Sequence, residues 1–478
     1  MRRRWTSGRG EQQRVSFWLP DSGDDLTPRS PLDGDTEVDV VVVGAGFTGL
    51  WTARELVRRD PSRSVLVVEA EIAGFGASGR NGAWLTAGLG VTPRELARRT
   101  SPSTVREVTE AMRATVDEVL RACDEDAIDV RARRGGLLRI ARGVHEQPAL
   151  RSGHRAMVEL GIDAGIELLD ADALARRVRV ADARGALFDP HAAAVHPGRL
   201  VRGLARTVER HGVRIVESTR VRRVLPREVD APANARGRRP RVVTARGTVT
   251  AEAVVLATEA WTSQLPGRRR SVLPLYSLIV LTEPVDAARW ARIGWHEHEL
   301  LSSHRLTVDY LSRTPDGRVL FGGRGAPYHL GSRISPAFDR HDATHELLRR
   351  QLTAWFPPLT GVAFTHAWGG PVGMPRDWLP GFGFDPITGV GGGYGYTGQG
   401  VGTSNLAGRV IADLIVHGET PYASLPMVGH RSRRWEPEPL RWLGARYLQG
   451  ATARLDARAA RSGRAVRRHG LAQRLLRH

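Results

Sequence analysis

The stretch VDVVVVGAGFTGL, residues 38–50, limits what this chain can fold into more than any other. A run dominated by valine, suited to a strand buried on both faces, leads straight into Gly44-x-Gly46-x-x-Gly49. The next residues, FTGLWTARELVRR (47–59), place Leu50, Ala53, Leu56 and Val57 at helical spacing, and Asp60 and Pro61 stop the helix. SVLVVEA (64–70) then reads as a second buried strand, which completes one βαβ unit. In such a unit the first glycine makes a tight turn. The second lets backbone approach a pyrophosphate, and the third lets helix and strand pack closely. Ala45 lies within that turn, and the N–H groups of Phe47 and Thr48 open the helix where its positive dipole end meets phosphate. Glu69 ends the second strand 20 residues past Gly49 and is placed to accept hydrogen bonds from a ribose diol. Ala70 and Glu71 follow it and offer nothing to a 2′-phosphate.

A second glycine-rich stretch, GFGASGRNGAW (74–84), comes five residues after that acid. A nicotinamide dinucleotide has no evident use for it. FAD does, because its ribityl chain and ring extend beyond the pyrophosphate and need a close backbone lining. Ser78, Gly79, Arg80, Asn81 and Gly82 are therefore expected to meet the cofactor, with the three polar side chains donating to it. Near the other end, GYGYTGQGVGTSNLAGRVIADLIVHG (393–418) leads a glycine run into a helix with Leu406, Val410, Ile411, Leu414 and Ile415 on one face. Gly398, Gly400 and Val401 lie at its start, where a helix N-terminus stabilises the negative charge that flavin reduction creates.

These segments together resemble the D-amino-acid-oxidase-type FAD oxidoreductases. Within that group they are most similar to the gamma-glutamylputrescine oxidase branch, in which a GASGRNGG-like loop is typical. Here Ala83 stands in place of that loop's last glycine. ATEAWT (257–262) resembles the family's ATGAW element through Ala257 and Trp261, with Glu259 where glycine is usual. HAWGGPVGMPRDWLPGFG (366–383) and the 393–418 segment resemble its C-terminal signature, and the likeness covers about residues 16–440.

The resemblance implies an α/β fold of the glycine oxidase kind, in which an FAD-binding Rossmann-like domain carries an inserted β-rich substrate domain. It also implies an enzyme that oxidises the C–N bond of an amine or amino acid by hydride transfer to flavin, with hydrolysis of the imine. Such a step needs position, a neutral amine and an apolar pocket more than an acid–base pair. Tyr276, Tyr310 and Trp368 are the candidate aromatic walls, and Arg313 the candidate carboxylate ligand. Sarcosine-oxidase relatives use a lysine to activate oxygen, and this chain has no lysine. Either another group serves, or the electron acceptor is not oxygen. Cysteine-linked flavin needs a Cys in the C-terminal half. The one cysteine is Cys123, so FAD is expected to bind non-covalently. No metal-ligand spacing is present.

The pattern of elements divides the chain. We expect an N-terminal extension (1–35), a discontinuous FAD-binding domain (36–100, 191–270 and 362–420), a substrate domain (101–190 and 271–361) and a basic tail (421–478). The net charge of +19 suggests nucleic acid, but its distribution argues against that partner. Residues 431–478 carry 13 arginines against three acids, and residues 1–20 carry five against one. The tail is expected to be a solvated helix or an irregular end, or else an arm for a partner subunit, an anionic membrane surface or nucleic acid. No apolar run is long enough to span a bilayer, and MRRRWTSGRGEQQR lacks the apolar segment of a signal, so a soluble cytoplasmic protein is expected. Two rival functions remain. One is an FAD dehydrogenase of a hydroxy acid or polyol that passes electrons to a quinone or carrier. The other is a non-catalytic flavoprotein with a partner-binding tail.

Overall fold

The computed structural model describes residues 15–228 and 239–466. Strand Thr36–Val43 lies at the centre of an eight-stranded sheet. It pairs in parallel with Val65–Val68 on one side and Thr248–Leu256 on the other. Arg214–Val216 and Val390–Tyr394 extend the parallel order at the two flanks, and antiparallel Gly381–Asp385 closes one edge. The last four valines of the central strand alternate between the faces. Val40 and Val42 pack among the helices, and Val41 and Val43 pack on the side of the strand pair Val221–Leu225 and Arg241–Thr244. Helices Phe47–Arg59 and Gly400–Val416 cross tightly on the helical side. A Cβ on Gly408 would stand 2.7 Å from the Trp51 Cβ, so only glycine permits that approach.

A second eight-stranded sheet runs Phe364–Met374, Leu273–Thr282, Val319–Arg324, Asp309–Arg313, Leu300–Ser303, Leu137–Arg142, Ala183–Asp189, Glu167–Leu169. All its pairings are antiparallel except Leu300–Ser303 with Leu137–Arg142. Its core gathers Trp290, Trp295, Phe321, Trp355 and Phe356 beneath helices Ala287–Ile293 and Asp342–Trp355. A short ladder, Trp84–Thr86 with Ala192–Ala194, links the second glycine-rich stretch to this half.

The chain is divided differently from the expected boundaries in three places. Helix Pro102–Glu125 belongs to the core of the first sheet, where it buries Val105, Val108, Met112, Val116 and Val119. Strand Phe364–Met374, expected with the cofactor half, pairs along Leu273–Thr282 in the second sheet. The N-terminal segment, of which residues 1–14 lie outside the described residues, is not a loose extension from Ser16 onward: Phe17, Trp18, Leu19 and Leu32 are buried. The tail contains a 23-residue helix, Leu440–Ser462, seated against the second sheet. Residues 467–478 lie outside the described residues.

Candidate active site

The turn after the central strand and the C-terminal ends of its parallel neighbours open into a cleft of about 800 Å³ that reaches the second sheet. Gly44 sits at φ +108°, and a Cβ there would lie 2.6 Å from the Ala257 carbonyl oxygen. A Cβ on Gly49 would collide with the carbonyl oxygen of Gly44. Both sites therefore need glycine, the first for its turn and the second for the close approach of helix to strand. Of the residues expected to hold a dinucleotide, Gly44, Gly46, Phe47, Thr48, Glu69, Ala70, Ser78, Arg80, Asn81, Gly82, Ala257, Trp261, Gly398, Gly400 and Val401 line the cleft. Ala45, Gly49 and Gly79 stand behind it as packing and backbone support. The Ala45 N–H donates to Glu69 Oε2 at 2.8 Å, and the Glu71 N–H donates to Oε1 at 2.9 Å. Burial raises the Glu69 carboxyl to about 7.

The polar side chains of the second stretch hold the protein together more than they point into the cleft. Ser78 Oγ accepts from the Phe47 N–H at 2.8 Å and so joins the two glycine-rich turns. The Arg80 guanidinium donates to Asp339 at 2.6 Å, to the Gly369 carbonyl at 3.0 Å and to the Phe75 carbonyl at 2.7 Å. Asn81 bonds within its own loop, to Ala77, Ser78 and the Ala83 N–H. A buried donor left unpaired is costly, so a loop of small residues that must keep one shape uses its polar groups on itself. The N-terminal segment adds two more bonds, from Ser16 Oγ to the Gly79 carbonyl at 2.6 Å and from Trp18 Nε1 to the Asn81 carbonyl at 2.8 Å.

The candidate substrate residues separate. Tyr310 lines the cleft, with its ring against Gly82 and its hydroxyl 2.9 Å from Ser277 Oγ. Burial pushes that hydroxyl up to about 12, so it stays protonated. Tyr276 also lines the cleft, although its hydroxyl is bonded to the backbone of Ser335. Trp368 is behind the wall and donates to the Arg80 carbonyl at 2.9 Å. Arg313 faces away. Its guanidinium lies 3.9 Å from the Trp290 ring centroid, and Nη1 donates to the Trp295 carbonyl. The cause is strand periodicity, since residues three apart point to opposite faces.

Arg324, not Arg313, is the arginine on Tyr310's face. Tyr310 pairs with Gly322, so Gly322 and Arg324 share its side of the sheet. Arg324 lines the cleft and donates to the Thr397 carbonyl at 3.0 Å, with its guanidinium 5.3 Å from the Trp378 ring centroid. It makes no ion pair among the described residues, and burial lowers it to about 10, at which it remains a cation. Three further lining residues were not foreseen. Tyr396 bonds Thr48 Oγ1 at 2.9 Å. Trp84 stands edge-on to Tyr310. His304 has its buried Nε2 without a partner and is pushed down to about 4 by burial. Glu259, at φ +42°, accepts from the Gly373 and Gly395 N–H groups at 2.8 and 3.2 Å and ties strand Phe364–Met374 to the turn after Val390–Tyr394. Among the described residues no cluster of His, Cys, Asp and Glu is suited to a metal ion.

A dinucleotide fits this cleft on its own geometry. The glycine turn, the start of helix Phe47–Arg59 with its first N–H held by Ser78, and the Glu69 carboxylate occur in the order of phosphate and ribose. The stretch 74–84 then lines the path from there to Tyr310.

The sequence pattern of the family described as FAD dependent oxidoreductase matches residues 39–414. The gamma-glutamylputrescine oxidoreductase of Escherichia coli strain K12 is 29% identical over 442 residues, which is 91% of this chain and 97% of that protein. A probable oxidoreductase, OrdL, of Rhizobium meliloti is 28% identical over 80% of this chain and 84% of its own. Among solved structures, glycine oxidase from Geobacillus kaustophilus superposes with a TM-score of 0.67 at 22% identity, covering 83% of this chain and 99% of that one. At that identity the likeness shows the fold.

Proposed function

We propose a substrate class for this chain, which belongs to the FAD dependent oxidoreductase family: an amine that also carries a carboxylate. The observation that carries the reading is Arg324, a cleft-lining cation with no acidic partner among the described residues, on the same sheet face as Tyr310. A half-buried guanidinium without a counter-ion among the described residues favours an anionic ligand, and its planar fork suits a carboxylate. The similarity to a gamma-glutamylputrescine oxidoreductase supports the same class, since an amine and a carboxylate occur together in a glutamyl amine.

FAD supplies the hydride acceptor for oxidation of the carbon beside the amine nitrogen. The chain's own residues do the rest. Glu69 is placed to accept from ribose hydroxyls, and the positive end of helix Phe47–Arg59 faces phosphate. Gly398, Gly400 and Val401 bring the positive end of helix Gly400–Val416 to the cleft. Tyr310 and Trp84 form an aromatic wall, and Arg324 anchors the carboxylate so that the amine end is fixed in register. Oxidation of a hydroxy acid also needs a base for the hydroxyl proton. The histidine of the described lining, His304, is held near 4, a weak base for that proton, which favours the amine over the alcohol. A cytoplasmic location belongs to the same reading, since the one thiol, Cys123, is buried and unpaired, as a reducing compartment permits.

The test is anaerobic bleaching of the flavin by matched pairs of amines with and without a carboxylate, such as glycine against methylamine. The carboxylate-bearing partner should bleach it at least about a hundredfold faster. Equal rates within pairs would remove the proposed class.

Two further outcomes are expected at the cofactor. In the FAD-free protein Glu69 titrates near 7, above its value in the unfolded chain. That shift destabilises the FAD-free fold as pH rises from about 4.5 to about 7. Ribose hydroxyls donate to the charged carboxylate, so FAD binding releases a proton. The dissociation constant should fall as pH rises toward 7 and then level off, and Glu69→Gln should flatten the profile. In Trp18→Phe, loss of the indole bond to Asn81 should loosen the second glycine-rich stretch and weaken FAD binding by about tenfold. Flavin fluorescence titration of the stripped protein reads both.

A further inference from the structure

We propose that the outward face of helix Leu440–Ser462 docks on an anionic lipid bilayer. The inner face of this helix is fixed to the body. Asp456 accepts from the Leu306 and Thr307 N–H groups at 2.9 and 2.7 Å, and Gln449 Nε2 donates to the Ala326 carbonyl at 2.9 Å. Arg441 is buried, with Nη1 donating to the Arg269 carbonyl at 3.1 Å. Ala445 and Ala459 complete that buried side.

The opposite side carries an apolar end and a basic end, separated at Ala451, which falls on the same face but is buried. Leu440, Leu443 and Tyr447 stand 62%, 52% and 44% exposed at spacings of three and four. The basic end of the stripe holds Arg454, Arg458 and Arg461, all exposed. Over its length of roughly 30 Å the stripe contains no acid, because the helix's one acid, Asp456, is buried on the other side. The apolar end is bordered by more of the same chemistry. Leu330 is 53% exposed there, since the Gly331 N–H donates to Glu438 at the helix start. Arg269, Arg433 and Arg434 are exposed around it. The neighbouring acids are already paired, Glu436 with Arg376 and Glu438 with Arg441.

Leucines and a tyrosine beside arginines that make no ion pair among the described residues match the boundary between acyl chains and anionic headgroups. Nucleic acid would use the arginines but has no place for three adjacent leucines. A second copy packed across a two-fold axis would set the arginines against arginines or against the leucines, with no acid on either stripe to pair them.

The experiment uses the full chain loaded with FAD. It is sedimented with vesicles of phosphatidylcholine alone, or of phosphatidylcholine and phosphatidylglycerol in equal parts. The protein is expected to pellet with the mixed vesicles and not with phosphatidylcholine alone. Leu440→Glu with Leu443→Glu should lower the partition coefficient by about a hundredfold, each leucine accounting for about tenfold. Arg454→Glu with Arg458→Glu and Arg461→Glu should abolish binding. Turnover in solution should stay unchanged in both, because none of these residues lines the cleft. Retained flavin absorbance shows that a variant is folded, and Tyr447→Ser provides a milder third change. Three results would overturn the proposal: wild-type protein left in the supernatant with mixed vesicles, leucine variants that bind as tightly as wild type, or binding to duplex DNA that displaces the vesicles. A concentration-dependent dimer that the leucine variants dissociate would assign the face to a second copy instead.

Discussion

Gly49→Ala is expected to yield a protein that purifies colourless. The added methyl group meets the carbonyl oxygen of Gly44 and the Val42 side chain, 3.1 Å away, neither of which has room to move. Val42 is fully buried in the core under helix Phe47–Arg59, and Gly44 makes the turn. Relief therefore requires the helix start to lift from the strand. Lifting it carries the Phe47 N–H off Ser78 and removes the N–H array that would meet pyrophosphate. FAD affinity should fall by at least about three orders of magnitude, since a charge-assisted array is lost together with overpacking strain. The flavin absorbance of the purified protein and a titration with added FAD measure this. Gly408→Ala serves as the contrast. It crowds Trp51 on the far side of the same helix and should lower Tm while leaving much of the flavin bound. If Gly49→Ala is yellow and binds FAD normally, the first glycine turn is not the cofactor seat.

Arg324→Met should keep its flavin and lose its carboxylate-bearing substrate. The methionine retains much of the aliphatic stem against Trp378 and removes the charge. For substrates with a carboxylate, kcat/KM should fall by about two to three orders of magnitude, mostly through KM. For a matched amine without the carboxylate, the same change should have little effect. Arg313→Met supplies the comparison, since that guanidinium stacks on Trp290 outside the cleft. It should cost stability and leave substrate preference intact. A uniform loss over both substrate types in Arg324→Met would mean that the arginine supports the wall near Thr397 and does not select the ligand.

The first βαβ unit was legible because its chemistry is local. Glycines at fixed offsets and an acid at the end of the next strand carry their meaning within about thirty residues. The β-rich block was legible through its turn, since the PDG sequence predicts the hairpin that joins Asp309–Arg313 to Val319–Arg324. The choice between arginines could have been made from the same turn. A hairpin centred on Asp316 pairs Tyr310 with Gly322, and parity then puts Arg324 on the face of Tyr310 and Arg313 on the other. Proximity in sequence to the tyrosine pointed to the wrong one. The role of Ser78, Arg80 and Asn81 was harder to read, because a polar group in a glycine-rich loop fits a ligand and its own backbone equally well. The N-terminal segment was not legible at all. SFWLPD has no period, and its value lies in contacts with Gly79, Asn81 and Gly198, which are 60 to 180 residues away.

Those contacts set an order of events during synthesis. Trp18 is made 180 residues before Gly198, yet its backbone rests there, where a Cβ would collide with the Trp18 carbonyl. The clamp on the second glycine-rich stretch therefore waits for helix Pro197–Arg210. The cofactor sheet waits longer still, because Val390–Tyr394 must slot in beside Thr248–Leu256 before its flank is complete. The nascent chain thus carries both glycine turns through most of translation without the walls that would retain a flavin. Cofactor capture therefore waits until residues 390–416 have joined the fold.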